Sequence, residues 1–141
     1  MGNNSKYKFG VNRIIDMSQQ SSHEFRIFQQ KCDLLLKEDE VRFAGLINNM
    51  GKLVAGGFRK GIVPLEDQAE QRKMYMELAL RVSMRMEFDY SLGPVKYSAS
   101  RRKKVVMMSF PINNNVLMIS AETSIDIDKF AQKVSKIIGK I

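Results

Sequence analysis

A single domain of mixed α/β (α+β) class is predicted. It carries one five-stranded, mostly antiparallel sheet covered by helices on both faces, in the order α-β-β-α-β-β-β-α. Three observations predict it. Residues 41–58 (VRFAGLINNMGKLVAGGF) read as two strands around a tight polar turn, and both faces of the pair are apolar. Residue 66 to about residue 88 reads as one long helix whose apolar residues cover more of its circumference than one core stripe needs. From Val95 onward, three strand-like runs lead into an amphipathic terminal helix.

The elements follow in chain order. Residues 1–20 form an N-terminal extension outside the domain proper, which occupies 21–141. Tyr7, Phe9, Val11, Ile14, Ile15 and Met17 make the extension too apolar for a plain tail, yet they show no clear period. A myristoylation signal would need Ser or Thr where Lys6 stands. Residues 21–37 read as a helix. Ser21 or Ser22 serves as N-cap, with Glu24 placed three residues after Ser21 as in a capping box. Phe25, Phe28, Cys32 and Leu35 or Leu36 share its apolar face, so Cys32 is expected as a small buried hydrophobe rather than a nucleophile.

In the hairpin, Val41, Phe43 and Ile47 are expected on one face, and Ala44 and Leu46 on the other. Its second strand should place Val54 and Phe58 opposite Leu53 and Ala55. A hairpin with one wet face alternates apolar and polar residues, and this one does not, so both faces must be covered. Asn48-Asn49-Met50-Gly51 supplies the turn. Gly45, Gly56 and Gly57 would weaken the strands unless another backbone or a helix comes close; they read as admitting a packed helix, with a ligand-approach site as the alternative. Gly56 to Gly61 has the spacing of a phosphate loop, but Ile62-Val63 stands where that loop needs its lysine and hydroxyl, which excludes the motif.

Pro64, Glu66 and Asp67 suit the start of the long helix, and Glu77 and Arg81 fall at i,i+4 in the favourable order. Met74, Met76, Met84 and Met86 are read on this helix, in a chain with ten methionines, and suit either core filling or an adaptable association surface. Leu92-Gly93-Pro94 breaks the chain. Residues 95–100 alternate as a half-exposed strand, a basic turn follows at Arg101-Arg102-Lys103-Lys104, and residues 105–110 form an apolar strand that Pro111 ends. Asn113-Asn114-Asn115 makes a turn before the last strand, 116–121. Ser124 or Asp126 then caps a helix with Ile127, Phe130, Ala131, Val134 and Ile138 inward and Lys129, Lys133, Lys136 and Lys140 outward.

Composition narrows the function classes. At 141 residues and 44% hydrophobic content the chain can bury a core without disulfides or metals. One cysteine, Cys32, and one histidine, His23, leave no cysteine zinc site and no histidine metal cluster. They fit a reducing, cytoplasmic setting. No apolar run approaches the roughly 18 residues of a membrane span. The net charge of +8 and pI near 9.7 suit nucleic acid, acidic proteins or an anionic surface. Arg101, Arg102, Lys103 and Lys104, with Arg59 and Lys60, are the candidate contacts for such a partner. No paired-carboxylate pattern or cofactor signature appears, so no catalytic residue, metal or cofactor is assigned and no enzyme is expected.

The element order and the Gly51-Lys52 hairpin turn resemble the Roadblock / dynein light-chain family and the wider profilin-like sandwiches. Local sequence is similar to small proteins of ammonia-oxidising archaea of the same predicted fold. The residues that carry this are Val41-Arg42-Phe43-Ala44-Gly45, Met50-Gly51-Lys52-Leu53, Ala55-Gly56-Gly57-Phe58-Arg59, Met84-Arg85, Gly93-Pro94 and Ile119-Ser120-Ala121-Glu122. The resemblance implies a homodimer formed through the long helix and the strand after it, acting as a scaffold or as a regulator of a small GTPase. It would place Met74, Leu78, Val82, Arg85, Met86, Val95, Tyr97 and Ala99 at the subunit interface. The sequence therefore points to a non-enzymatic protein–protein interaction module. Binding of nucleic acid or an anionic surface through the basic turn is the alternative. A small-ligand sensor is a third reading, for which the sequence shows no convergent polar set.

Overall fold

The structure is a computed structural model and describes residues 23–139. The extension 1–20, the Ser21/Ser22 cap and Lys140 lie outside the described residues. Helix α1 covers 23–35. It is followed by β1 (Val41–Ile47), β2 (Leu53–Phe58) and the long α2 (Gln68–Arg85). A 3-10 turn (Met86–Phe88), a single-turn α3 (Asp89–Leu92), β3 (Ser98–Arg101), β4 (Val106–Ile112), β5 (Asn115–Ala121) and α4 (Ile127–Ile138) complete the order. The sheet runs β2-β1-β5-β4-β3, and all four pairings are antiparallel. Helices α1 and α4 cover one face, where Cys32, Leu35, Phe130, Val134 and Ile138 pack on Leu46, Phe110 and Ile119. Helix α2 lies on the other, with Tyr75 and Leu78 over Phe43, Ile47, Val116 and Met118.

Local chemistry sets the boundaries. Asp67 caps α2: its carboxylate accepts from Glu70 N at 2.8 Å, and Glu70 Oε1 accepts from Asp67 N at 3.4 Å, which closes a capping box. Asp126 caps α4 by accepting from Lys129 N at 3.1 Å. At the hairpin turn, Asn48 Oδ1 accepts from Met50 N and Lys52 N, each at 3.0 Å, while Gly51 takes φ +77.

Two bulges overturn the expected hairpin faces. Against β5, Val41 pairs with Ala121 and Phe43 with Ser120, so Arg42 is the extra residue. Val41 therefore joins Ala44 and Leu46 beneath α1 and α4, not Phe43 and Ile47. In β2 the register shifts at Val54. Leu53 pairs with Ile47, and Val54 and Ala55 both face the α1 side while Phe58 joins Phe43. A period-two reading fails wherever one residue is inserted.

Three boundaries also differ. Pro111 lies inside β4 instead of ending it. This is tolerated because β3 pairs with β4 only as far as Ser109, so the outer edge beside Pro111 has no strand to bond. The strand expected at 95–100 begins at Ser98, and Met86 belongs to the 3-10 turn after α2. Phe25, expected on the apolar face of α1, is 50% exposed.

Gly56 shows why a glycine is needed where α1 crosses the sheet. It has φ +82, and a Cβ there would fall 2.1 Å from the Ala44 carbonyl oxygen and 2.9 Å from Cys32 Sγ. Its N–H donates to Gln29 Oε1 of α1 at 3.0 Å. The close helix approach expected from the sequence is thus present at Gly56. Cys32 is fully buried, and burial, with help from the Asp33 carboxylate, pushes its thiol up to about 12.

Candidate functional site

Helix α2 is seated on the hairpin. A Cβ on Gly51 would lie 2.8 Å from Met76 Cα, so only glycine lets the helix backbone ride on the turn. The Tyr75 ring stacks at 6.1 Å from the Phe43 ring, and Leu78 is buried beside it. Burial and the Glu66 carboxylate raise the Tyr75 phenol above its ordinary value. These contacts fix which side of α2 faces inward. The opposite side carries Met76, Leu80, Met84 and Phe88 at intervals of four residues. They are 63%, 64%, 58% and 59% exposed, so the outward side carries an apolar stripe, flanked by the exposed Lys73 and Glu77. Tyr90 and Leu92 extend this exposed apolar surface past the helix end. Monomers rarely leave a contiguous apolar patch without a use for it. Arg81 and Glu77 lie on the same helix as a two-pronged ion pair, at 3.0 and 2.8 Å.

The residues assigned to an interface divide. Leu78 is 4% exposed and belongs to the chain's own core, so it is not available to a partner. Met74, Val82 and Arg85 are half-buried along the side of α2 that borders β3 and β4, and Arg85 Nη1 donates to Ser98 Oγ at 2.6 Å. Met86 is exposed. Val95 and Tyr97 precede β3 rather than lie in it. Tyr97 turns to the other face, where it packs on Phe110 and donates to the Asp128 carboxylate, which raises its phenol above the ordinary value. Ala99 is exposed on β3, which among the described residues bonds only to β4 and leaves its outer edge open. The stripe of Met76, Leu80, Met84 and Phe88 was missed as a set. Its spacing of four was visible, but the sequence does not say which of two apolar helix faces meets the sheet.

The basic residues divide too. The Arg59 guanidinium donates to the carbonyls of Leu36, Glu38 and Asp39, tying the end of β2 to the loop after α1. That of Arg101 donates to the carbonyls of Thr123 and Ile125. Both are engaged by the fold. Lys60, Arg102, Lys103 and Lys104 are exposed, and none joins an ion pair among the described residues. Among the described residues no group of His, Cys, Asp or Glu could hold a metal ion. No described helix is long and apolar enough to cross a membrane.

A single antiparallel sheet with two helices on one face and one long helix on the other defines the Roadblock/LC7 architecture, and solved structures share it. A Roadblock/LC7 domain from Streptomyces avermitilis matches with TM-score 0.60 and 10% identity, over 78% of this chain and 90% of that one. MglB from Myxococcus xanthus matches with TM-score 0.61 and 16% identity, over 82% and 86%. The gliding protein MglB of Thermus thermophilus matches with TM-score 0.60 and 12% identity, over 78% and 87%. Residues 20–141 match a family described as a family of unknown function, DUF6659, and the chain belongs to that family. No curated protein matches the sequence.

Proposed function

We propose that this chain is a homodimeric protein-interaction module, acting as an adaptor or as a regulator of a small GTPase. The single observation that carries the reading is the exposed apolar stripe of α2, Met76, Leu80 and Met84, continued by Phe88 of the 3-10 turn. The open edge of β3 lies on the same side of the sheet as the half-buried Arg85 and Val82, so a second copy can meet the helix and extend the sheet together. Burying what remains exposed of four such side chains contributes roughly 3–6 kcal/mol before the costs of association. The shared fold supports the reading, as does a solved MglB described as having a tetrameric arrangement. Flexible methionines suit a surface that accepts more than one partner.

Sedimentation velocity on the full chain tests it. The wild type is expected to sediment as a dimer at micromolar concentration. Leu80→Glu combined with Met84→Glu is expected to sediment as a monomer with an unchanged circular dichroism spectrum, because neither side chain is in the core. A wild type that stays monomeric at high micromolar concentration overturns the proposal.

A further inference from the structure

Where α2 gives way to the 3-10 turn, the chain crosses back over the end of the sheet and leaves a cleft of about 600 Å³. We propose that this cleft binds a small organic carboxylate with an apolar body. The volume lies within the range of small-molecule sites, and such sites combine apolar walls with a few convergent polar groups. Val82, Met86, Val95 and Pro111 line the cleft as its apolar wall. Arg85 and Lys96 line it as cations, against one carboxylate, Asp89.

The state of those cations specifies the ligand's charge. Neither Arg85 nor Lys96 joins an ion pair among the described residues. Arg85 uses Nη1 to donate to Ser98 Oγ at 2.6 Å, which holds the guanidinium against the wall of the cleft. The fork retains further N–H groups for an acceptor, and carboxylates and phosphates are the groups that a guanidinium binds with two parallel bonds. Among the described residues, two cations against one carboxylate leave the cleft with one net positive charge. The buried Ser109 adds a hydroxyl at the cleft wall. The walls are too apolar for a heavily hydrated dianion, which is why an apolar body is specified. Sequence reading found no convergent polar set because these groups come from three separate segments: the end of α2, the crossing loop and β4.

The inference does not need the dimer, although Arg85 borders both regions. Amide spectra of the isotopically labelled full chain, titrated with octanoate and with benzoate, test it, with octanamide and benzamide as neutral counterparts. Sedimentation on the same samples reads the dimer separately. Saturable shifts are expected at Val95, Lys96, Ser98 and Ser109 with the carboxylates, at least about tenfold weaker with the amides. Arg85→Gln and, independently, the exposed Lys96→Gln should each weaken carboxylate binding about tenfold while leaving the amides unchanged. Shifts confined to other regions, shifts equal for acid and amide, no shifts, or indifference to both variants would overturn the proposal.

Discussion

Among the described residues, the sheet face beneath α1 and α4 carries a continuous core of eighteen buried residues, whereas the face beneath α2 carries six. Helix α4 buries Phe130, Ala131, Val134 and Ile138 out of twelve residues; α2, with eighteen, buries only Tyr75 and Leu78. The shorter helix is thus the better anchored. The difference separates two uses of apolar residues. On the α1/α4 side they are consumed within the chain and supply most of the hydrophobic stabilisation. On the α2 side they are divided between a small inner cluster and an outer stripe that no described residue covers. A face that holds the fold and a face that is left for association predict different responses to the same kind of substitution.

The contrast is broken most sharply by deleting a large side chain from the deeper core. Phe110→Ala, at a ring that is 1% exposed and packs on Tyr97, is expected to cost about 3–5 kcal/mol, read as a fall in the denaturant midpoint. The same truncation on the α2 side should cost less. Leu78→Ala is expected to lose about 2–3 kcal/mol, at the lower end of such changes, because the site is small and open at its rim. If Leu78→Ala costs more than Phe110→Ala, the ranking of the two faces is reversed.

A third test uses the proton of Cys32, which sits on the α1 side. Its thiol holds its proton up to about 12 in the folded chain, against an ordinary value of 9.0. Above pH 9 the unfolded chain loses this proton first, so rising pH favours unfolding. The contribution is fully present below pH 9 and is lost as pH rises toward 12, by about 1 kcal/mol at pH 10. Denaturation midpoints measured from pH 8 to pH 10.5 should therefore fall, and the slope should flatten in Cys32→Ala. The smallest effect is expected on the outer side of α2. Leu80→Ser should change monomer stability by no more than about 0.5 kcal/mol, measured on dilute, dissociated protein. A larger loss there would mean that the stripe serves the fold and not association.

Much of the fold was legible because it follows from local chemistry. The Asn48 to Gly51 turn, the Asp126 cap and the Glu77–Arg81 pair all operate within a few residues, and each is present, as is the acidic start of α2, where Asp67 is the cap. The close approach at Gly56 was also readable, since a glycine inside an apolar strand needs a neighbour to justify it. The candidate site was legible only in part. An excess of apolar residues on α2 was plain, but Leu78, which the resemblance implies at the interface, is buried in the chain's own core. The resemblance places Tyr97 at the interface too, yet the alternation that sets Ala99 opposite Met108 also puts Tyr97 beside Phe110 on the α1/α4 face, away from α2. Arg59 and Arg101 read as surface charge, but carbonyls distant in sequence take up their guanidinium groups.

The sequence by itself determined the element order, the two-sided burial of the sheet and the surplus of apolar residues on the long helix. These are set by periodicity, capping and turn chemistry, which act over one to four residues. Only the tertiary structure decided which side of α2 faces the sheet, which residues the bulges at Arg42 and Val54 send to which face, and that Arg85, Lys96 and Ser109 share one cleft. The physical reason is that an apolar side chain gains by burial wherever a matching surface exists, and that surface is assembled from strands far apart along the chain.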